Sequence, residues 1–176
     1  MEAEVESGRD NRDNKTGRLL RSLAVSRFCL EDSVPVLVKH NVFIGSIGSV
    51  KNPSALKQLG ITHVLVLCSE KFLKDPEISY QVVNDIEDSA NANLFQRLPS
   101  LCEHIEASAK KGGILVSCFQ GKSRSAAVIT AYLMQRDGLS LEQALELVRA
   151  ARPRAQPNLG FIADLRRWGK TLEEGR

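Results

Sequence analysis

Two hydrophobic rhythms alternate along the chain. Near-continuous apolar runs at "ITHVLVLC" (61–68) and "ILVSC" (114–118) predict strands buried on both faces. Apolar positions at three- and four-residue spacing over 94–111, 123–137, 140–150 and 158–168 predict helices. "VFIGSIGSV" (42–50) reads as a strand entering a Gly/Ser turn, "NPSALKQLG" (52–60) as a short helix stopped at Gly60, and "YQVVNDIEDS" (80–89) as a short strand entering an acidic loop. The end signals agree. Gly112, Gly113 and Gly138 close helical patterns, Ser140 with Gln143 forms a capping-box pair, and Pro153 and Pro157 punctuate a turn ahead of Asn158. Strands alternating with helices predict an α/β fold: a central, mostly parallel sheet of about five strands flanked by helices.

The N-terminal part reads differently. Residues 1–17 are charged and polar with little to bury, which predicts a disordered tail. Residues 18–33 place leucine, valine and phenylalanine at helical spacing among arginines. They suit a short helix packed on the domain, or a basic docking segment. Over 15–33 that docking reading takes two forms, a calmodulin-type helix or a kinase-docking pattern of Lys15, Arg18 and Arg21 ahead of Leu23 and Val25. The compact domain is expected over 34–176.

Composition narrows the setting. At 176 residues, 43% hydrophobic and 26% charged, the chain suits one globular domain. A net charge of +3 does not call for a nucleic-acid partner. No apolar run approaches membrane-spanning length, and the first residues lack a signal-peptide core. Cys29, Cys68, Cys102 and Cys118 show no CxxC spacing or His/Cys cluster, so free thiols, no metal, no cofactor and a cytoplasmic or nuclear location are expected.

The chemistry concentrates in "LVSCFQGKSRSAAVI" (115–129). In such a sheet, ligands bind outside the carboxyl ends of the strands, and Cys118 lies at one. The loop Phe119, Gln120, Gly121, Lys122, Ser123 then enters a helix N-terminus, where free amides and the helix dipole attract anions. Small residues let the amides curl inward, and Arg124 adds a planar fork for two phosphate oxygens. Such a field lowers a thiol's pKa from about 8.5 to roughly 3.5–7.5, so a thiolate poised to attack phosphorus is expected at Cys118. Ser125 is placed to hydrogen-bond the sulfur. A nucleotide P-loop is disfavoured because Val116 stands where its first glycine is needed. A proton donor for the leaving group must come from elsewhere, and Asp85, Glu87 and Asp88 are at hand.

These residues resemble the Cys-x5-Arg-Ser signature of the protein tyrosine phosphatase superfamily, in its dual-specificity branch. "AAVITAYLMQRDGLSLEQALELVRAARP", the turn "PNLGF" and "VFIGSIGSVKN" are similar to that branch too, most of all to its small plant-type and atypical members. The resemblance implies hydrolysis of phosphotyrosine and phosphoserine/threonine in proteins, MAP kinases among them, through a phosphocysteine. It implies Cys118 as nucleophile, residues 119–124 as phosphate cradle, and Asp85 as acid then base ahead of Asp88, with a bell-shaped pH profile. It aligns Arg152 with a position near the pocket mouth that can favour a second phosphate; the alternative is a surface arginine. Members usually carry histidine before the cysteine. Ser117 stands there; serine can still hydrogen-bond backbone groups, and altered thiol acidity rather than loss of activity is expected. The rival readings are a phosphatase for phosphoinositide, RNA 5′-phosphate or phosphoglucan, and a phospho-binding adaptor without turnover.

Overall fold

The computed structural model describes residues 3–175, with side chains from residue 17 onward. Its sheet has five strands in the order β1-β2-β5-β3-β4: β1 Val36–Lys39, β2 Val42–Ser46, β3 Ile61–Val66, β4 Ser79–Val82 and β5 Gly113–Cys118. β2, β5, β3 and β4 run parallel, and β1 pairs antiparallel with β2 at the edge. The expected α/β architecture is present. β1 was not predicted. His40 and Asn41, with φ of 52° and 60°, close it onto β2 in a two-residue hairpin turn.

Strand alternation sorts the core into two layers. Ile114 and Val116 of β5 join Val42, Ile44 and Leu65 on one face, packed against α4 (Leu98–Ala109), α5 (Arg124–Asp137), α6 (Leu141–Ala151) and α7 (Leu159–Glu174). Leu115 points the other way, with Phe43, Val64 and Val66, beneath α2 (Ile47–Val50) and α3 (Pro53–Gln58). The predicted Gly/Ser turn after β2 is thus the one-turn helix α2, started by Ser46, whose side chain accepts from the Gly48 amide. α5 is buried from Ser125 through Met134, so it is the central helix of its layer. The Ser140–Gln143 capping box is formed in both directions, and α7 runs past Trp168 to Glu174.

α1 (Ala3–Glu31) is one helix whose backbone runs through the stretch expected as a tail. The side chains of 3–16 lie outside the described residues, and with them most of the tail reading for 1–17. Of the apolar positions in this segment, Leu19, Leu20, Leu23 and Leu30 are exposed, while Val25 and Phe28 are half-buried and Cys29 packs against the core. The end of α1 makes contact, where Phe28 stacks on Phe119 with centroids 6.2 Å apart. Among the described residues, no helix is long and apolar enough to cross a membrane.

Candidate active site

Parallel register puts the strand ends together. Ser46 of β2 lies opposite Cys118, and Val66 of β3 opposite Ser117, so β5 delivers its cysteine at the carboxyl edge of the sheet. The chain then turns through Phe119–Ser123 into α5. Gly121 makes that turn with φ of +61°, and a Cβ there would meet the Gly45 carbonyl oxygen at 2.4 Å.

The orientation of the loop follows from where its carbonyls go. Phe119 C=O accepts from the Ile47 amide (3.2 Å), and Lys122 C=O from the Gln156 amide (2.7 Å). Gln120 C=O accepts from Arg152 Nη2 and Arg154 Nη2, both at 2.9 Å, and Gly121 C=O from Arg152 Nε at 2.7 Å. Four consecutive carbonyls are therefore fastened outward. In a planar trans peptide, N–H and C=O point opposite ways, so the amides of residues 120–123 face the other side, into the recess.

That recess has a volume of about 610 Å³ and is lined by Cys118, Phe119, Gln120, Lys122, Ser123 and Arg124 of the loop, by Asp88, and by the 156–159 turn. Of the residues expected to bind phosphate, only Gly121 is absent from the lining. Cys118 is 2% exposed at the bottom, its Sγ 3.3 Å from the Ser125 hydroxyl, which can donate to a thiolate. Arg124 opens α5, and its Nη1 reaches Ile86 C=O at 3.5 Å. Its Nε is buried and, among the described residues, has no hydrogen-bond partner. A buried unsatisfied guanidinium N–H at an amide-lined recess leaves an acceptor still to be supplied.

The acidic loop separates its carboxylates. Asp88 stands at the recess: Oδ1 accepts from Ser123 Oγ (2.6 Å) and Asn158 Nδ2 (3.0 Å), and Oδ2 lies 3.8 Å from Arg124 Nε. Asp85, the acid favoured by resemblance, is not at the recess. Its carboxylate is paired with Arg97 outside it, with over half its side-chain surface exposed.

Two further expectations are corrected. Ser117 makes no hydrogen bond through its hydroxyl among the described residues, although it is fully buried. Arg152 is not at the mouth but 5% exposed behind the loop, its side chain spent on loop carbonyls and Asp32. Nothing in the linear spacing of Asp32 and Arg152, more than a hundred residues apart, announces their contact. In the PNLGF turn (157–161), Asn158 caps α7 by accepting from the Phe161 amide at 2.9 Å while its backbone amide donates to Ser123 Oγ at 3.1 Å. Among the described residues no group of three His, Cys, Asp or Glu is arranged for a metal.

Comparison with known proteins identifies the family. Residues 42–171 match the family "Dual specificity phosphatase, catalytic domain". The chain is 34% identical over 171 residues to dual specificity protein phosphatase 1 of Arabidopsis thaliana, covering 96% of this chain and 86% of that one. It is 34% identical over 139 residues to MAP kinase phosphatase with leucine-rich repeats protein 2 of Dictyostelium discoideum, covering 79% of this chain but 20% of that longer protein. The crystal structure of a mouse putative dual specificity phosphatase complexed with zinc tungstate superposes with a TM-score of 0.77 at 34% identity, covering 81% of this chain and 91% of that one. The family match begins at β2 and ends within α7, spanning every residue that lines the recess, and the chain belongs to the dual specificity protein phosphatases, a family of protein phosphatase enzymes.

Proposed function

We propose that this phosphatase hydrolyses phosphotyrosine and phosphoserine/threonine in proteins through a phosphocysteine formed on Cys118. The observation that carries the reading is the set of four outward-fastened carbonyls, which turns the amides of 120–123 toward the space above the sulfur. A phosphoryl group resting on those amides and on the Arg124 fork has its phosphorus in line with Sγ. The thiolate attacks, the P–O bond to the substrate breaks, and the leaving oxygen takes a proton from a carboxylic acid. Water then attacks the phosphocysteine, the carboxylate takes the water's proton, phosphate departs and the thiolate is restored. Ser125, in contact with Sγ, stabilises the departing sulfur.

The acid in this scheme is Asp85. Asp88 Oδ1 already accepts two hydrogen bonds and Oδ2 faces the guanidinium, so that carboxyl serves as a strut between segments. The Asp85–Arg97 pair is exposed on both sides, and such pairs contribute at most about 1 kcal/mol, so substrate can draw Asp85 inward. MAP kinases are proposed as substrates because a relative's name carries that activity. Docking at 15–33, to calmodulin or a kinase, is proposed on the exposed Leu19, Leu20 and Leu23.

The test is turnover of an aryl phosphate by the full chain and by Cys118→Ser, followed by phosphotyrosine and phosphothreonine peptides, a phosphoinositide and a 5′-phosphorylated RNA. Hydrolysis of both peptides, lost in Cys118→Ser, supports the reading. Binding without turnover makes the protein an adaptor, and preference for the lipid or RNA makes it a phosphatase of that class.

A further inference from the structure

A residue ahead of the family match holds the phosphate loop from behind. Asp32 follows α1 directly, whereas the match begins at residue 42. Its Oδ1 accepts from Arg152 Nη1 at 3.3 Å, and its Oδ2 from Arg152 Nη2 at 2.7 Å and from Arg154 Nη2. Arg152 spends its remaining reach on the loop, through Nε to Gly121 C=O and Nη2 to Gln120 C=O. Asp32 is itself anchored: its carbonyl accepts from Ser46 Oγ at 2.9 Å and Ser49 Oγ at 3.4 Å, and its amide donates to Phe28 C=O at 3.0 Å. Glycine at position 48 makes the approach feasible, because a Cβ there would meet the Asp32 carbonyl oxygen at 2.7 Å.

The dependence runs in one direction. A nearly buried guanidinium needs a counter-charge, and the one Asp32 supplies is bidentate. Without it, Arg152 turns toward water or another acceptor and gives up the carbonyls of Gln120 and Gly121. Gly121 C=O then has lost its donor and Gln120 C=O keeps only Arg154, itself parted from Asp32, so both peptide units can rotate and carry the N–H groups of Gly121 and Lys122 away from the recess. Arg154 also lies over the Phe28 ring at 5.4 Å, so the end of α1 braces both arginines.

We propose that Asp32 is a positioning residue for phosphate binding, acting through Arg152, and that the end of α1 is therefore part of the phosphatase site. This rests on the recess being the phosphate site. The test measures tungstate binding by calorimetry to the full chain, together with kcat and KM for an aryl phosphate. Asp32→Ala is expected to weaken tungstate about tenfold and to lower kcat/KM by a similar factor, in line with the cost of misplacing a binding group. With Arg152→Gln already present, Asp32→Ala should add well under the loss of about tenfold that it causes alone, since only the path through Arg154 to Gln120 C=O is left. A residue of purely structural importance would shift the melting temperature and leave the tungstate affinity of the folded protein unchanged. If Asp32→Ala does not fold, the isosteric Asp32→Asn is read by the same criteria. Unchanged tungstate affinity, or losses that multiply fully in the double variant, overturns the proposal. A chain that binds tungstate in an Asp32-dependent way yet turns nothing over removes the catalytic reading and supports this one.

Discussion

Ser123 Oγ donates to Asp88 Oδ1 across 2.6 Å, joining the phosphate loop to the acidic loop. Asn158 Nδ2 donates to the same oxygen, so Asp88 ties three segments together, while Asp85, three positions earlier, pairs with Arg97 at the surface. The two carboxylates thus separate by task. Asp85→Asn is expected to lower kcat for an aryl phosphate by about 10²–10⁴, with little change in KM, and to remove the fall in rate at high pH. Asp88→Asn should chiefly weaken oxyanion binding and lower thermal stability. A pH-rate series on both variants decides, and the opposite pattern transfers the acid to Asp88.

Thiol reactivity should differ sharply between buried cysteines. Burial pushes the Cys102 thiol up to about 12 and raises that of Cys68, whereas Cys118 opens on a recess rich in donors. Alkylation at neutral pH, read by mass spectrometry, should therefore mark Cys118 before Cys68 or Cys102, and tungstate should protect it. Prior labelling of either of the others would contradict the arrangement at the sheet edge.

Ser117 buries a hydroxyl that has no hydrogen-bond partner among the described residues. Removing an unsatisfied buried hydroxyl returns its desolvation cost, so Ser117→Ala should gain up to about 1 kcal/mol in urea unfolding, with an unchanged slope. Activity should stay within about twofold. A loss of stability would show that the hydroxyl has a partner in solution.

Acid stability should depend on Glu106. Hydrogen bonds from Arg136 first, then from Tyr132, hold its carboxyl down at about 2, against roughly 4.3 for a free glutamate. The folded pKa is depressed, so the contribution is present above about pH 4.3 and is lost as pH falls toward 2. Glu106→Gln should be less stable at neutral pH and show a flatter decline over that acid range. Urea midpoints measured across pH would reveal parallel curves if the carboxylate plays no part.

Much of this was legible in the chain because local signals and global fold coincide. The β-branched run at 61–68, the capping pair Ser140 and Gln143, and Cys118 ahead of a glycine turn and a helix each demand their structure within a few residues. β1 was harder to see, since Val36 and Leu37 are partly exposed at the sheet edge and the hairpin uses His40–Asn41 rather than a glycine turn. The place of Asp85 depends on the path of a loop that has little regular structure between β4 and α4. The Asp32–Arg152 contact is long-range, set by how the end of α1 returns to the sheet, and no periodicity encodes it.

Because every carbonyl from Phe119 to Lys122 is already bonded to a donor behind the loop, the cradle is a rigid mould, shaped before any guest arrives. Its selectivity should then be a matter of geometry more than of valence. Tetrahedral guests such as sulfate can meet several inward donors together, whereas flat ones such as nitrate leave some of them empty and should compete poorly at equal ionic strength.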